Sequence, residues 1–174
     1  MGKTFGELTD TLIGPISFIA SDDGLERVAY TSLRTLKDAT GMYDVKPSMP
    51  GLETVGTLLG ELNAYLHGLR KVFSVEINWA MIVGFQRLVL KATTEIPYGS
   101  LLTYAELAVH LGKKDAARAV GMALSKNPMP LVIPCHRVIG SDGQIRGYSG
   151  GIERKITLLG LEGHRVDENN RIIE

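Results

Sequence analysis

The sequence predicts an α+β protein, with a small strand-rich N-terminal domain over residues 1–80 and a helical C-terminal domain over residues 81–174. Three patterns carry this expectation. Apolar stretches flank a tight-turn tetrapeptide near the start, apolar residues recur at helical spacing further on, and the second half holds two short helices joined by a glycine turn. At 174 residues the chain can bury a core without disulfides or metals.

Taken in order, Pro15 to Ala20 and Leu25 to Thr31 surround Ser21-Asp22-Asp23-Gly24, a turn composition that predicts a hairpin. A loop rich in turn formers follows from Asp38 to Pro50. Leu52, Val55, Leu59, Leu62 and Leu66 then step by threes and fours, the buried face of a helix. Phe73, Val75 and Ile77 alternate with Ser74, Glu76 and Asn78, which predicts a short strand, and the domain boundary is expected near Trp79 to Val83. Gly84 to Glu95 reads as a helix ended by Ile96-Pro97-Tyr98-Gly99. Thr103-Tyr104-Ala105-Glu106 is a capping box, in which hydroxyl and carboxylate satisfy open amides reciprocally. Its helix should stop at Gly112, with Asp115 as the N-cap of a second helix over Ala116 to Ser125, a helix-turn-helix signature. Leu131 to Ile133 reads as extended, a Gly-rich loop spans Gly140 to Gly151, and a last helix turns Ile152, Ile156 and Leu159 inward.

Composition removes several classes of function. One cysteine excludes a disulfide framework and a multi-cysteine zinc or iron–sulfur site. Apolar runs such as Ala80 to Phe85 are too short to span a bilayer, and neither a leader nor a myristoylation signal at Gly2 is expected. The expectation is a soluble cytoplasmic protein that needs no membrane. Lysine plus arginine equals aspartate plus glutamate, yet Ser100 to Lys155 holds eight cations against four anions, a net +4. That patch coincides with the helix-turn-helix and points to a polyanionic partner.

The lone cysteine admits two readings. A buried, inert Cys135 at a strand end beside a surface His136 is the common case. Against it, Pro130 and Pro134 bracket the apolar segment that delivers Cys135, polar His136 and Arg137 follow at once so that the cysteine sits where core meets solvent, and five glycines lie just beyond. A thiol becomes a nucleophile only beside a base or cation, and His136 and Arg137 are near in sequence. Neighbours on a strand point to opposite faces, so the helping contact would run through water.

Pro134-Cys135-His136-Arg137-Val138, preceded by Ala116-Ala117-Arg118-Ala119-Val120-Gly121 and Asn127-Pro128, closely resembles the O6-alkylguanine-DNA alkyltransferases. Gly147-Tyr148-Ser149-Gly150-Gly151 and Glu162-Gly163-His164 extend the match, which is specific from Phe85 to His164 and only topological over residues 1–80. The resemblance implies a ribonuclease H-like N-terminal domain in a structural role and a winged helix-turn-helix C-terminal domain. It implies irreversible, single-turnover transfer of the alkyl group of O6-alkylguanine, and of O4-alkylthymine, to a protein cysteine, with no cofactor. Carried over by residue, Cys135 is the acceptor, His136 the base acting through water, and Glu162 the group that holds the imidazole. Tyr104 would donate to guanine N3 and Asn127 would brace the loop. The Cys135 and Val138 carbonyls and the Ser149 amide would read the base, with Tyr148, Leu124 and Gly150 around it.

On the DNA side the resemblance implies a base flipped from the duplex, Arg118 filling the gap, and a helix in the minor groove. Ala117, Ala119 and Gly121 make that helix slim, and Lys126 adds a cation at its end. The expected partner is alkylated double-stranded DNA, bound by a monomer with room for cooperative loading. Two positions depart from the family pattern: Arg146 and Met122 stand where small or neutral residues are common. With one cysteine and histidines only at 67, 110, 136 and 164, the zinc site of some relatives cannot form. Two rivals are a non-catalytic lesion-binding module, which would lack the cysteine, and a thiol hydrolase, which would turn over.

Overall fold

A computed structural model describes residues 2–43 and 45–173. The chain is a mixed α/β protein whose contacts group into two compact units, dividing between Met81 and Ile82.

In the first unit, β1 (Lys3–Leu8), β2 (Ile16–Ser21) and β3 (Gly24–Ala29) form an antiparallel sheet in that order. The expected hairpin is β2–β3, turning through Asp22-Asp23 with Gly24 at φ 111°. Sequence reading did not place β1, whose run is interrupted by Gly6. Gly6 pairs with Phe18, whose ring lies over it so closely that an added Cβ would sit 2.2 Å away. Nor did it place helix α1 (Leu33–Thr40), which Ser32 caps and Gly41 ends at φ 67°. The loop expected from Asp38 is therefore partly helix.

Helix α2 (Met49–Leu66) covers the sheet, with Pro50 in its first turn and the Ser48 hydroxyl accepting from the Gly51 amide. Its buried face is Val55, Leu58, Leu62, Tyr65 and Leu66, against Ile16, Phe18 and Leu25 of the sheet. Leu52, expected inside, is exposed, because the inward stripe runs through Gly51 and Val55. The strand expected at Phe73 to Asn78 reduces to one bridge, Leu25 with Ile77. The physical reason is Glu61, buried on α2, which accepts from the Ser74 amide (3.0 Å), the Val75 amide (3.3 Å), the Ser74 hydroxyl and Arg70. Those amides are spent on a carboxylate and no ladder can use them.

The second unit opens with α3 (Gly84–Thr94) and continues through β4 (Leu102–Thr103), α4 (Tyr104–His110) and α5 (Ala117–Ser125). The three helices pack together, and the Thr103–Glu106 capping box is formed in both directions. Gly112 takes φ 69° in the turn between α4 and α5. Asp115 is not the N-cap of α5: Ala116 is, without a side-chain bond, since the Lys113 carbonyl accepts from the Ala116 amide (2.8 Å) in a preceding turn. Strand β5 (Val138–Ile139) pairs in parallel with β4. Helix α6 (Ile152–Leu161) buries Lys155, Leu158 and Leu159, whereas Ile152 is 38% exposed and Ile156 is only half-buried. A short hairpin, β6 (Arg165–Val166) and β7 (Ile172–Ile173), holds the 143–145 segment through Ile145 N–H to Asn170 O (2.8 Å). Among the described residues no helix is long and apolar enough to cross a membrane.

Candidate active site

The segment before Cys135 is not extended. Leu131 stands at φ 76° in a turn closed by the Ile133 amide donating to Met129 O (2.9 Å), with Pro130 and Ile133 bridged. Two prolines and a left-handed residue fix this turn, which passes into a single 3₁₀ turn over Cys135, His136 and Arg137. Asn127 braces it. Its Nδ2 donates to Ile133 O (2.9 Å) and to Cys135 Sγ (3.1 Å), and its Oδ1 accepts from the Met129 amide (3.0 Å). An asparagine serves here because both of its faces are used.

His136 is not the surface residue of the inert reading, and Arg137 is not exposed either; both are buried, because both converge on a buried Glu162. His136 Nε2 lies 2.9 Å from Glu162 Oε1. Arg137 forks onto the same carboxylate, Nε at 3.1 and 3.0 Å and Nη2 at 2.9 Å, while its Nη1 donates to Ile96 O (2.6 Å). The Gly99 amide donates to Glu162 Oε2 (2.9 Å), so the Pro97–Gly99 turn anchors the acid from outside the helix. A carboxylate can only accept, so Nε2 carries the ring proton and Nδ1 is the acceptor of the neutral imidazole.

In front of the thiol lies a pocket of about 440 Å³ lined by Tyr104, Gly121, Leu124, Cys135, Tyr148 and Ser149, with Ser125, Arg146 and Gly147 at its rim. Of the residues expected to surround a base, Tyr104, Leu124, Tyr148 and Ser149 are thus brought to the cysteine. The carbonyls of Val138 and Gly150 are occupied, by Lys155 Nζ (2.6 Å) and Arg154 Nη1 (2.7 Å), each keeping a second lone pair. Lys155 was missed at the sequence level except as a charge. It is fully buried on α6, also donates to Arg146 O (3.0 Å), and lies 6.0 Å from the Tyr104 ring centroid. Arg137 was noted only as a nearby cation. The signal for Lys155 was the stripe 155, 158, 159, 162, in which a lysine and a glutamate flank two leucines.

Burial sets the electrostatics. It pushes the Cys135 thiol up, against the Asn127 hydrogen bond and the Lys155 charge, so the resting cysteine is a protonated thiol. It pulls the His136 imidazole down, against the pull of Glu162, so the ring is neutral and able to accept a proton. The Tyr104 phenol is raised, chiefly by burial and then by Cys135, and remains a donor. Lys155 falls from 10.5 to about 8, burial outweighing the Cys135 charge.

A second recess of about 510 Å³ lies outside the first, lined by Tyr104, Ala105, Ala117, Arg118 and Gly121 on one side and by Gly140, Ser141, Asp142 and Arg146 on the other. Arg118 is exposed on α5. Ala119 and Lys126 are also exposed but line neither recess. Met122 is 63% exposed.

Known proteins resemble this chain in sequence and fold. Residues 84–164 match the family of the 6-O-methylguanine DNA methyltransferase, DNA binding domain. A methylated-DNA–protein-cysteine methyltransferase of Methanosarcina barkeri is 37% identical over 94% of this chain and 97% of its own. One of Mycobacterium leprae is 46% identical over 62% of this chain and 65% of its own length. The solved Mycobacterium tuberculosis O6-methylguanine methyltransferase superposes with a TM-score of 0.77, at 35% identity over 92% of both chains. Mycobacterium tuberculosis OGT in complex with DNA gives 0.74, at 35% identity over 91% of this chain and 92% of that one. The fold is that of a DNA-binding alkyl-transfer protein. The chain belongs to the methylated-DNA–protein-cysteine methyltransferase family, as the motifs around Cys135 implied.

Proposed function

We propose that the chain repairs DNA by moving the alkyl group of O6-alkylguanine, and of O4-alkylthymine, onto Cys135, once per molecule and without a cofactor. The observation that carries the reading is the thiol at the floor of a base-sized pocket, bonded to Asn127, with the buried His136–Glu162 pair behind it. Relatives named for this reaction, and one solved with DNA, support it.

The chemistry divides among the side chains. His136 Nδ1 takes the thiol proton through a water, and Glu162, held by Arg137, stabilises the imidazolium that results. The thiolate attacks the alkyl carbon in line. A sulfur–carbon bond forms, the carbon–O6 bond breaks, and its electron pair leaves on guanine, which Tyr104 relieves by donating to N3. Cys135 and Val138 carbonyls and the Ser149 amide read the base between Tyr148 and Leu124, beside Gly150. The resulting thioether has no leaving group that His136 could help to expel, so the protein titrates.

The base must leave the stack to reach a pocket floor, at a cost of a few kcal/mol. Arg118 fills the gap, and Ala117, Ala119 and Gly121 let α5 enter the minor groove while Lys126 meets phosphate. This assigns a winged helix-turn-helix role to residues 81–174 and a structural, ribonuclease H-like role to residues 1–80, in a soluble cytoplasmic monomer that loads cooperatively on DNA. Intact-mass measurement after exposure to duplex O6-methylguanine tests the reaction: one added methyl on Cys135 is expected, and none for Cys135→Ser. Multiple turnovers, or a methyl group elsewhere, would overturn it.

A further inference from the structure

Tyr104, Gly121 and Arg146 line both recesses, so they stand where the outer groove opens toward the thiol pocket. Arg146 is anchored on one side and loose on the other. Its carbonyl accepts from Lys155 Nζ (3.0 Å) and Tyr104 Oη (3.4 Å), which fixes its backbone against the pocket wall. Its side chain is 61% exposed and pairs with Asp142, itself 40% exposed. The pair lies flat over Gly140, where an added Cβ would sit 2.6 Å from Asp142 Oδ1 and 2.8 Å from Arg146 Nε. Arg118 lines the same groove from helix α5.

A groove lined by two arginines suits an anion with several oxygens, and an exposed ion pair is weakly held. A phosphodiester offers a guanidinium fork the same bidentate geometry as a carboxylate. We propose that Arg146 is a specificity-determining phosphate ligand: on binding, its guanidinium leaves Asp142 for the phosphate of the nucleotide whose base enters the thiol pocket. Asp142 parks the cation when no strand is present. The pocket thereby favours an alkylated base carried on a strand over the same base free in solution. This rests on the reading that the alkylated guanine arrives on DNA.

The test compares second-order transfer to Cys135 from O6-methylguanine in duplex DNA and from free O6-benzylguanine, which has no phosphate. Arg146→Gln should lower the duplex-to-free ratio by about tenfold, and Asp142→Asn, which removes the competing carboxylate, should raise it. A ratio unchanged by Arg146→Gln, whether both rates hold or both fall together, overturns the assignment. Binding of duplex O6-methylguanine to Cys135→Ser needs no transfer and tests Arg146 even if the transfer reading fails. Adding Arg146→Gln should make the slope of log affinity against log salt shallower by about 0.9, and an unchanged slope again overturns it.

Discussion

Among the described residues each unit buries a glutamate that is wired to an arginine and to backbone N–H, and the telling difference between the two is one partner. In the first, Glu61 accepts from Arg70, the Ser74 hydroxyl and the Ser74 and Val75 amides. In the second, Glu162 accepts from Arg137, the Gly99 amide and His136. Both tie a distant loop to a helix, which is a structural task. Only Glu162 gives one oxygen to a ring that can change its charge. The same device becomes chemical when a titratable partner replaces a hydroxyl, and that ring follows the cysteine directly in the chain.

The cations should separate the two sites most. Arg137 and Glu162 are 7% and 0% exposed, so removing the arginine leaves an uncompensated buried charge. Arg137→Met is expected to destabilise the fold by about 3–5 kcal/mol, read from urea unfolding. Arg70, at 37% exposed, can be replaced by solvent, and Arg70→Met is expected to cost about 1 kcal/mol. Equal losses would mean that solvent access does not distinguish the pairs.

Neutralising the acids sharpens the contrast in activity. Glu162→Gln keeps the shape but cannot stabilise an imidazolium, so transfer to free O6-benzylguanine should fall by about 10²-fold. Glu61→Gln should leave that rate within about twofold while lowering the unfolding midpoint. A Glu162→Gln variant with the original rate would remove the acid from the mechanism.

How much of this was legible in the sequence follows from what each feature depends on. The β2–β3 hairpin and the Thr103–Glu106 box are local, and local residues suffice to specify them. The family motifs placed Tyr104, Asn127, Cys135, His136 and Glu162 as candidates, and the fold brings Tyr104 to the pocket wall and Asn127 to the sulfur. The failures are tertiary. Val75 alternates like a strand residue, but Glu61 from another element takes its amide. On α6 the isoleucines looked like the buried face, yet Lys155 is inside because two carbonyls, Val138 and Arg146, await its ammonium. Hydrophobic periodicity cannot see such acceptors, so the stripe through 155, 158 and 159 was read one notch out of register.

Lys155 supplies an effect confined to alkaline pH, and its sign can be worked out. Its folded pKa, about 8, lies below its ordinary 10.5. Below pH 8 the ammonium is charged in both states and the burial penalty is fully present. As pH rises from about 8 toward 10.5 the folded chain sheds this proton while the unfolded chain keeps it, so this group adds stability over that window. Cys135 acts oppositely, since burial raises its folded pKa: above the ordinary thiol value the unfolded chain loses a proton that the folded chain retains. The comparison therefore belongs in Cys135→Ser, which removes the opposing titration of the thiol from that window. The difference in unfolding free energy between Cys135→Ser and Cys135→Ser with Lys155→Met should change with pH by at most about 1.4 kcal/mol per unit above pH 8. A difference that stays flat from pH 7 to 10 would mean that Lys155 keeps its proton, held by the Val138 and Arg146 carbonyls despite its burial.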